Sequence, residues 1–296
     1  MDFLQQMAER SRERVESARQ SCPEAALFER AARTPLPPQL RLNARGFDLI
    51  AEIKLRSPAA GALKSNDESI ETRAATYASA GAAAVSVLTE PSRFDGSMTH
   101  LQSAARALEP FGVPAMRKDF LVDPYQVAEA RIAGASGVLV ILRMLPRAGI
   151  EALLDASRQL GLFVLLEAFD ERDIELAQEL VAVPASRRKP GSGETNAFRL
   201  GNGLHRGDGQ QRTDILVGVN CRDLATLQVV PGRLEQLAHL LPMRVPRVAE
   251  SGVATAQDAR SASAAGYDLA LVGSSLMKAS DPAALISEML AAGSKR

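Results

Sequence analysis

The sequence is short of several residue types, and each shortage narrows what the protein can be. It has no tryptophan, and aromatic residues make up only 4% of the 296 residues. Lysine plus arginine equals aspartate plus glutamate, at 35 each, so the formal net charge is zero. A chain with no basic excess and no aromatic side chains interleaved with basic ones lacks the features that bind nucleic acid. We therefore expect no nucleic-acid partner.

Membrane segments and metal sites are also not indicated. No apolar run reaches about 18 residues, the length that a membrane-spanning helix needs. Residues 1–20 are charged throughout and contain no apolar signal segment. The two cysteines, Cys22 and Cys221, lie far apart, which argues against a disulfide framework or a zinc site, and the three histidines show no metal-ligand spacing. We expect a soluble cytoplasmic protein that uses no metal and no cofactor.

What the sequence does contain is a regular series of short apolar runs. We count eight: FDLIAEI (47–53), AAAVSVL (82–88), VPAMRK (113–118), SGVLVIL (136–142), FVLLEA (163–168), ILVGVN (215–220), PRVAES (246–251) and LALVG (269–273). Most of them do not alternate between apolar and polar residues, which is typical of parallel strands that are covered on both faces. The pattern predicts eight buried strands.

Helical patterns lie between these runs. IEALLDASRQL (150–160) and ALISEML (284–290) place their apolar residues along one stripe. Thr255 with Asp258 three residues later resembles a capping box, and Asp170 precedes a charged first turn, so both mark helix starts. The alternation of strands and helices indicates an α/β protein.

Eight such alternations predict a single (β/α)8 TIM barrel over residues 1–296. The competing fold, a doubly wound open sheet, rarely needs eight such even units. A barrel typically takes about 250 residues, so the chain has residues to spare. We assign them to an N-terminal extension, residues 1–46, that contains an amphipathic helix, and to residues 184–213 before the sixth strand. The second stretch is rich in Gly, Arg and Ser, and we interpret it as a flexible surface insertion at the bottom of the barrel.

Charged side chains collect where the predicted strands end, which is the active-site end of a barrel. They are Glu52, Lys54, Lys118, Glu167, Arg222 and Glu250, with Asn220 beside them. Side chains two residues apart share one face of a strand, so Lys118 is in phase with Met116 and Glu167 with Leu165. Charges are costly to bury unless they are paired, so this cluster indicates chemistry; a ring of ion pairs that only closes the barrel top is the alternative. Acid–base work would fall to Lys118 and Glu167, with burial and neighbours lowering the lysine pKa towards neutrality.

The last two strands indicate a phosphate site. AESG (249–252) and VGSS (272–275) place Ser251, Gly252, Gly273 and Ser274 where a loop leaves a strand. In many barrels the loops after strands 7 and 8 hold a phosphate, because glycine lets backbone N–H groups approach the anion. We therefore expect a phosphorylated small-molecule substrate.

These strand-end motifs together resemble those of the indole-3-glycerol-phosphate synthase family. The segments are AEIKLRSPAAG, MRKDFLVDPYQVAEARIAGASGVLVIL, LLEAFD, VGVNCRDL, VAESGV and LVGSSLM, in the family's order from about residue 47 to 290. The resemblance implies a lyase of tryptophan biosynthesis that closes the ring of 1-(2-carboxyphenylamino)-1-deoxyribulose 5-phosphate, releasing carbon dioxide and water without a cofactor. It leaves open an association with other enzymes of that pathway.

The resemblance also implies roles for individual residues. Lys118 would be the general acid and Glu167 the general base, while Glu52 and Lys54 would position the substrate and tune the site, with Lys54 as a further candidate acid. Asn220 and Arg222 would orient the substrate. Ser57 and Pro58 would open a mobile loop after strand 1. The remaining substrate-binding residues would be Glu250, Ser251, Gly252, Gly273 and Ser274.

Two departures from the family pattern stand out. Cys221 takes the place of the second asparagine in the usual Asn-Asn-Arg, and AAGAL follows Pro58 where Ser-Lys-Gly is common. We expect Cys221 to point away from the barrel interior. That orientation, and the lack of an aspartate partner, argue against a phosphoribosylanthranilate isomerase with its Asp and Cys pair. A catalytically silent paralogue that binds a phosphosugar or a protein partner stays open.

Overall fold

Eight parallel strands form a closed barrel in this computed structural model, which describes residues 2–43, 46–58, 61–63, 68–182, 214–223 and 226–294. Neighbouring strands follow chain order, and the barrel closes where Ile50 of the first strand lies opposite Leu271 of the last. The strands are β1 (Asp48–Ile53), β2 (Ala84–Leu88), β3 (Ala115–Lys118), β4 (Gly137–Ile141), β5 (Phe163–Ala168), β6 (Ile215–Asn220), β7 (Arg247–Glu250) and β8 (Leu269–Val272). The predicted barrel and its eight strands are confirmed, with slightly shifted ends.

Helices surround the barrel and begin where the sequence provides caps. Thr255 and Asp258 form the predicted capping box, and Asp170 Oδ1 accepts a hydrogen bond from the Asp173 amide at 3.1 Å. The helices are α1 (Phe3–Ser21), α2 (Glu24–Arg33), α3 (Ile70–Ser79), α4 (Pro91–Phe94), α5 (Met98–Leu108), α6 (Pro124–Ile132), α7 (Arg147–Gln159), α8 (Glu171–Ala182), α9 (Arg233–Ala238), α10 (Ala256–Ala265), α11 (Ser274–Lys278) and α12 (Pro282–Gly293), with 3₁₀ turns at Glu109–Phe111 and Leu142–Met144. None of the helices in the described ranges is both long and apolar enough to cross a bilayer.

The core has two layers because each strand points alternate side chains in opposite directions. Ile50, Met116 and Leu165 point inwards and fill the barrel, while Leu49, Val164 and their neighbours pack under the helices. This alternation carries Glu52, Lys118 and Glu167 to the inner face as well, two residues beyond the apolar filling. The interior is therefore apolar up to the layer at which the charges begin.

The N-terminal extension runs along the outside of the barrel, from the C-terminal ends of the strands to their N-terminal ends. Near the C-terminal ends, Ser11 Oγ donates to the Phe120 carbonyl at 2.5 Å. Near the N-terminal ends, the Asn43 amide donates to Asp48 Oδ2 at 2.8 Å. The extension contains two helices rather than the one that we expected. The break between α1 and α2 falls at Pro23, whose ring cannot continue the first helix.

The predicted insertion at residues 184–213 lies outside the described residues. The chain leaves the described part at Ala182, the last residue of α8, and returns at Asp214, just before β6. Both points lie at the end of the barrel opposite the charged strand ends.

Candidate active site

A cavity of about 290 Å³ opens at the C-terminal ends of the strands. It is lined by every residue that the sequence predicted for the site: Glu52, Lys54, Ser57, Pro58, Lys118, Glu167, Asn220, Arg222, Glu250, Ser251, Gly252, Gly273 and Ser274. Cys221 is buried and does not line the cavity. The strand ends therefore converge as expected.

Two groups of ion pairs form the cavity floor. Lys118 Nζ lies 3.0 Å from Glu167 Oε2 and 3.7 Å from Glu250 Oε2, so one ammonium group faces two carboxylates. Lys54 Nζ lies 2.6 Å from Glu52 Oε1. The three carboxylates are almost fully buried, whereas the two lysines retain some exposure towards the cavity. A ligand that enters the cavity meets the ammonium groups first.

The surrounding carboxylates hold the proton on Lys118. Burial alone would lower the pKa of Lys118, but the charges of Glu167, Glu250 and Glu52 outweigh it and raise the pKa above its ordinary value. The expected lowering towards neutrality is therefore wrong for this arrangement. The sequence could not give the direction, because it depends on how many carboxylates converge on one ammonium group.

The carboxylates differ among themselves. Burial and the negative charge of Glu167 raise the pKa of Glu250 well above its ordinary value. Neither carboxylate oxygen of Glu250 has a hydrogen-bond partner among the described residues. A protonated Glu250 can instead donate to Glu167. Burial also works against charge at Glu52, but Lys54, Lys118 and Arg222 outweigh it, so the pKa of Glu52 is lowered and this group stays ionised.

Two glycines make room for two of these carboxylates. A Cβ atom on Gly273 would lie 2.2 Å from Glu52 Oε1 and 3.0 Å from Lys54 Nζ. A Cβ atom on Gly218, in β6, would lie 2.2 Å from Glu250 Oε1. The two distances of 2.2 Å are far below van der Waals contact. The glycines allow the carboxylates to lie directly against the backbone of the neighbouring strand.

The loops after β6 and β7 are joined through Asn220. Its Oδ1 atom accepts hydrogen bonds from Ser251 Oγ at 2.8 Å and from the Arg222 amide at 3.0 Å. Ser251 has a φ of 62° and Gly252 a φ of 74°, so two consecutive residues adopt the left-handed conformation. A serine in that conformation is uncommon, and such strain concentrates at functional sites. The loop holds Ser251 and Gly252 at the cavity edge.

The loop after β1 begins with a short hairpin. Residues Arg56–Ser57 pair with Gly61–Ala62, and Ser57 lies on the cavity side. The AAGAL departure falls partly on residues 59–60, which lie outside the described ranges. Ser57 and Pro58 therefore line the cavity where the loop after β1 begins.

The sequence did not predict the apolar wall of the cavity. Phe120 stacks edge-on against Phe3, with ring centroids 5.8 Å apart, and lies 6.1 Å from the ring of Phe94. All three rings line the cavity. Phe120 falls within a segment that carries the resemblance, MRKDFLVDP, but no local signal links it to Phe3, which lies in the N-terminal extension. The cavity thus combines a charged floor with an aromatic side.

Comparison with known folds agrees with the barrel. The structure resembles 3-hexulose-6-phosphate synthase from Salmonella typhimurium, with a TM-score of 0.55 at 11% identity over 83% of this chain and 98% of that one. It also resembles thiamine phosphate pyrophosphorylase from Pyrococcus furiosus, with a TM-score of 0.54 at 15% identity over 85% and 98% of the two chains. At such low identity these likenesses concern the fold alone.

Sequence comparison is more specific. The family model for indole-3-glycerol phosphate synthase matches residues 4–183 and 211–289, with a gap that coincides with the predicted insertion. The indole-3-glycerol phosphate synthase of Opitutus terrae is 38% identical over 90% of this chain and 91% of its own length. That of Parafrankia sp. is 37% identical over 91% and 88%. The chain therefore belongs to the indole-3-glycerol phosphate synthase family.

Proposed function

We propose that the charged cavity performs the ring closure of 1-(2-carboxyphenylamino)-1-deoxyribulose 5-phosphate to indole-3-glycerol phosphate, with loss of carbon dioxide and water. Family membership makes the chain a carboxy-lyase of tryptophan biosynthesis. The roles of the individual residues are our proposal. The observation that carries it is the position of Lys118, whose ammonium group lies between the carboxylates of Glu167 and Glu250 at the cavity floor.

Lys118 acts as the general acid on the ribulose carbonyl oxygen. Its raised pKa keeps it protonated before the reaction. As the new carbon–carbon bond forms, the carbonyl oxygen becomes an alkoxide, which is a stronger base than a lysine amine. The proton can therefore move to that oxygen only as the charge develops, which favours the transition state over the bound substrate. Glu167, hydrogen-bonded to Lys118 Nζ at 3.0 Å, acts as the general base in the later dehydration.

Charge complementarity supports an anionic substrate. Three cations, Lys54, Lys118 and Arg222, line the cavity and can pair with the phosphate and carboxylate groups of the substrate. Arg222 and Asn220 orient the substrate carboxylate and the atoms next to it. The phosphate is held by the loops that contain Ser251, Gly252, Gly273 and Ser274, and Ser57 and Pro58 contribute from the loop after β1. The aromatic ring packs on the apolar wall.

The test is to mix the purified protein with the carboxyphenylamino-deoxyribulose phosphate and follow indole fluorescence. We expect turnover by the wild type and its loss in Lys118→Ala, because removal of a general acid typically costs about 10²–10⁴-fold in rate. Arg158→Ala is the matched control, since Arg158 is an exposed cation paired with Asp155 on an outer helix. A folded wild type that binds inorganic phosphate but gives no indole signal would favour the silent phosphosugar-binding paralogue.

We further propose that the protein is cytoplasmic and that it associates with other enzymes of the tryptophan pathway. The substrate is a phosphorylated intermediate, and its charge keeps it on the side of a membrane where it is made. Fractionation of cells that produce the protein tests the location. Co-elution with other enzymes of the pathway tests the association.

A further inference from the structure

A buried arginine behind the cavity is not used by the mechanism above. Arg73, the fourth residue of α3, is only 7% exposed, whereas arginine side chains are mostly exposed. A buried guanidinium group is costly unless it is paired and hydrogen-bonded. Its partners therefore indicate what the side chain holds together.

Arg73 binds a loop and a helix that are far apart in the sequence. One of its terminal nitrogens forms an ion pair with Glu68, which ends the loop that follows β1. The other, Nη1, donates to the carbonyl of Leu276 at 3.1 Å across 203 residues of sequence. Leu276 belongs to α11, and a cation is favourable near the carbonyl end of a helix.

The next turn of α3 reinforces this contact. The guanidinium carbon of Arg73 lies over the Tyr77 ring, 5.8 Å from its centroid. The Tyr77 hydroxyl group donates to Met277 Sδ at 3.6 Å. Tyr77 is fully buried. One face of α3 therefore holds two consecutive residues of α11, Leu276 and Met277.

At its other end, α11 begins in the cavity. Ser274 and Ser275 line the cavity, and Gly273 lies against Glu52 and Lys54. A five-residue helix is too short to bend, so a shift at Leu276 moves Ser274 as well. The loop after β1 begins at the same place, with Ser57 and Pro58, and returns at Glu68.

We propose that Arg73 is a positioning residue for the substrate phosphate, which fixes α11 and the end of the β1 loop relative to one another. This inference rests on the proposed function in one respect, namely that the phosphate lies at Gly273 and Ser274. Arg73 itself does not line the cavity. It acts through Leu276 on one side and through Glu68 on the other.

The experiment compares Arg73→Met with Arg131→Met. Arg131 is a matched control because it is also a buried arginine that bridges chain segments, donating to the carbonyls of Leu160, Thr34 and Pro35 far from the cavity. The probe is inorganic phosphate, followed by the rise in Tm that it produces, which needs no turnover. We expect Arg73→Met to weaken phosphate binding about tenfold, a size typical of a residue that influences a ligand without contacting it. The KM for substrate rises with it, while kcat at saturation changes little.

Two results would overturn the inference. One is an unchanged phosphate affinity in folded Arg73→Met, and the other is an equal loss in Arg131→Met, which would mean general loosening. Should Arg73→Met fail to fold, Arg73→Lys decides, because a single ammonium group cannot bridge Glu68 and Leu276 as the guanidinium does. An intermediate loss supports the inference, and wild-type affinity refutes it. A phosphate affinity that depends on Arg73 in a protein that forms no indole would refute only the proposed function.

Discussion

Gly273 was predicted as a phosphate ligand, and its position adds a steric reason for having no side chain. In Gly273→Ala the new methyl group would overlap Glu52 Oε1 and displace the Glu52–Lys54 pair. We expect kcat to fall about 100-fold, the loss typical of a misplacement of about 1 Å in a catalytic group. Steady-state kinetics test this. Gly149→Ala is the control, because its nearest neighbour lies at an ordinary 3.5 Å, and a similar loss there would contradict the explanation.

Burial of the Glu250 carboxyl group in the active site should lower the free energy of unfolding of the protein above the ordinary pKa of a glutamate. In the unfolded chain its carboxyl group ionises near the ordinary value of 4.5, whereas in the fold burial and Glu167 raise its pKa. Between these two values the folded state holds a proton that the unfolded state releases, so the free energy of unfolding falls as pH rises. Glu250→Gln removes the ionisable group, and with it this pH dependence, while it keeps the shape of the side chain.

We therefore expect Glu250→Gln to have a higher Tm than the wild type, by about 2–4 °C for each kcal/mol gained, and a lower turnover rate. The gain should be larger at about pH 8 than at about pH 4, where the wild-type carboxyl is mostly protonated in both states. Thermal unfolding at the two pH values measures it. Glu288→Gln, on the exposed face of α12, is the control. An equal gain at both pH values would rule out the protonation argument.

At this scale the sequence predicts which residues meet but not their protonation. Strand alternation was enough to bring Lys118 and Glu167 to one face, because the period of two is fixed by backbone geometry. The direction of the pKa shift at Lys118 depends on distances to carboxylates from three other strands. Those distances are set by the closed barrel and by Gly218 and Gly273, whose steric role is visible only once the strands are side by side.

Among the elements, α1 affects the site in a way that the sequence did not predict. Arg14 Nη2 lies 2.9 Å from Asp119 Oδ1, and Asp119, next to Lys118, also accepts from Thr89, Arg117 and the Phe120 amide. Burial alone would raise the pKa of Asp119, but Arg117 and Arg14 outweigh it and lower the pKa. A lowered pKa means that this network stabilises the fold above the ordinary aspartate pKa and ceases to do so as pH falls through the lowered value.

Arg14→Ala should therefore destabilise the protein by about 1–3 kcal/mol near neutral pH, the cost of leaving a buried charged acceptor with one partner fewer. The difference from the wild type should narrow as pH falls below the ordinary aspartate pKa. Urea unfolding across this pH range measures it. Arg12→Ala, on an exposed position of the same helix, should change little. A difference that stays constant with pH would show that Arg14 acts by packing alone.

The strands were easier to predict than this extension for a physical reason. A strand that is buried on both faces must be apolar along its length, so β1 to β8 are visible one by one in the sequence. The extension contacts the barrel through scattered polar groups, such as Ser11 with Phe120 and Arg131 with Thr34. Such contacts leave no periodic pattern, and the sequence alone indicated a helix without its path.

For the molecule as a whole, residues 184–213 should be dispensable for catalysis. They leave and rejoin the described chain at the N-terminal end of the barrel strands, opposite the end that holds Lys118. Replacing them with a short Gly/Ser linker should leave kcat/KM within roughly threefold of the wild type, because surface loops tolerate changes in length. Turnover and circular dichroism of the shortened protein test this. A folded variant without turnover would contradict it and assign the segment a direct role.

Closure of the barrel also sets the order in which the protein becomes complete during its synthesis. Asp48 begins the first strand, and its partner Leu269 begins the last. At translation rates of about 5–20 residues per second, the first strand leaves the ribosome roughly 10–40 s before its closing neighbour is made. Through that time the β1 edge of the growing sheet has no partner strand and the inner charges are not enclosed by a closed barrel. A nascent chain stalled before Leu269 should therefore be a substrate for chaperones and should have no activity.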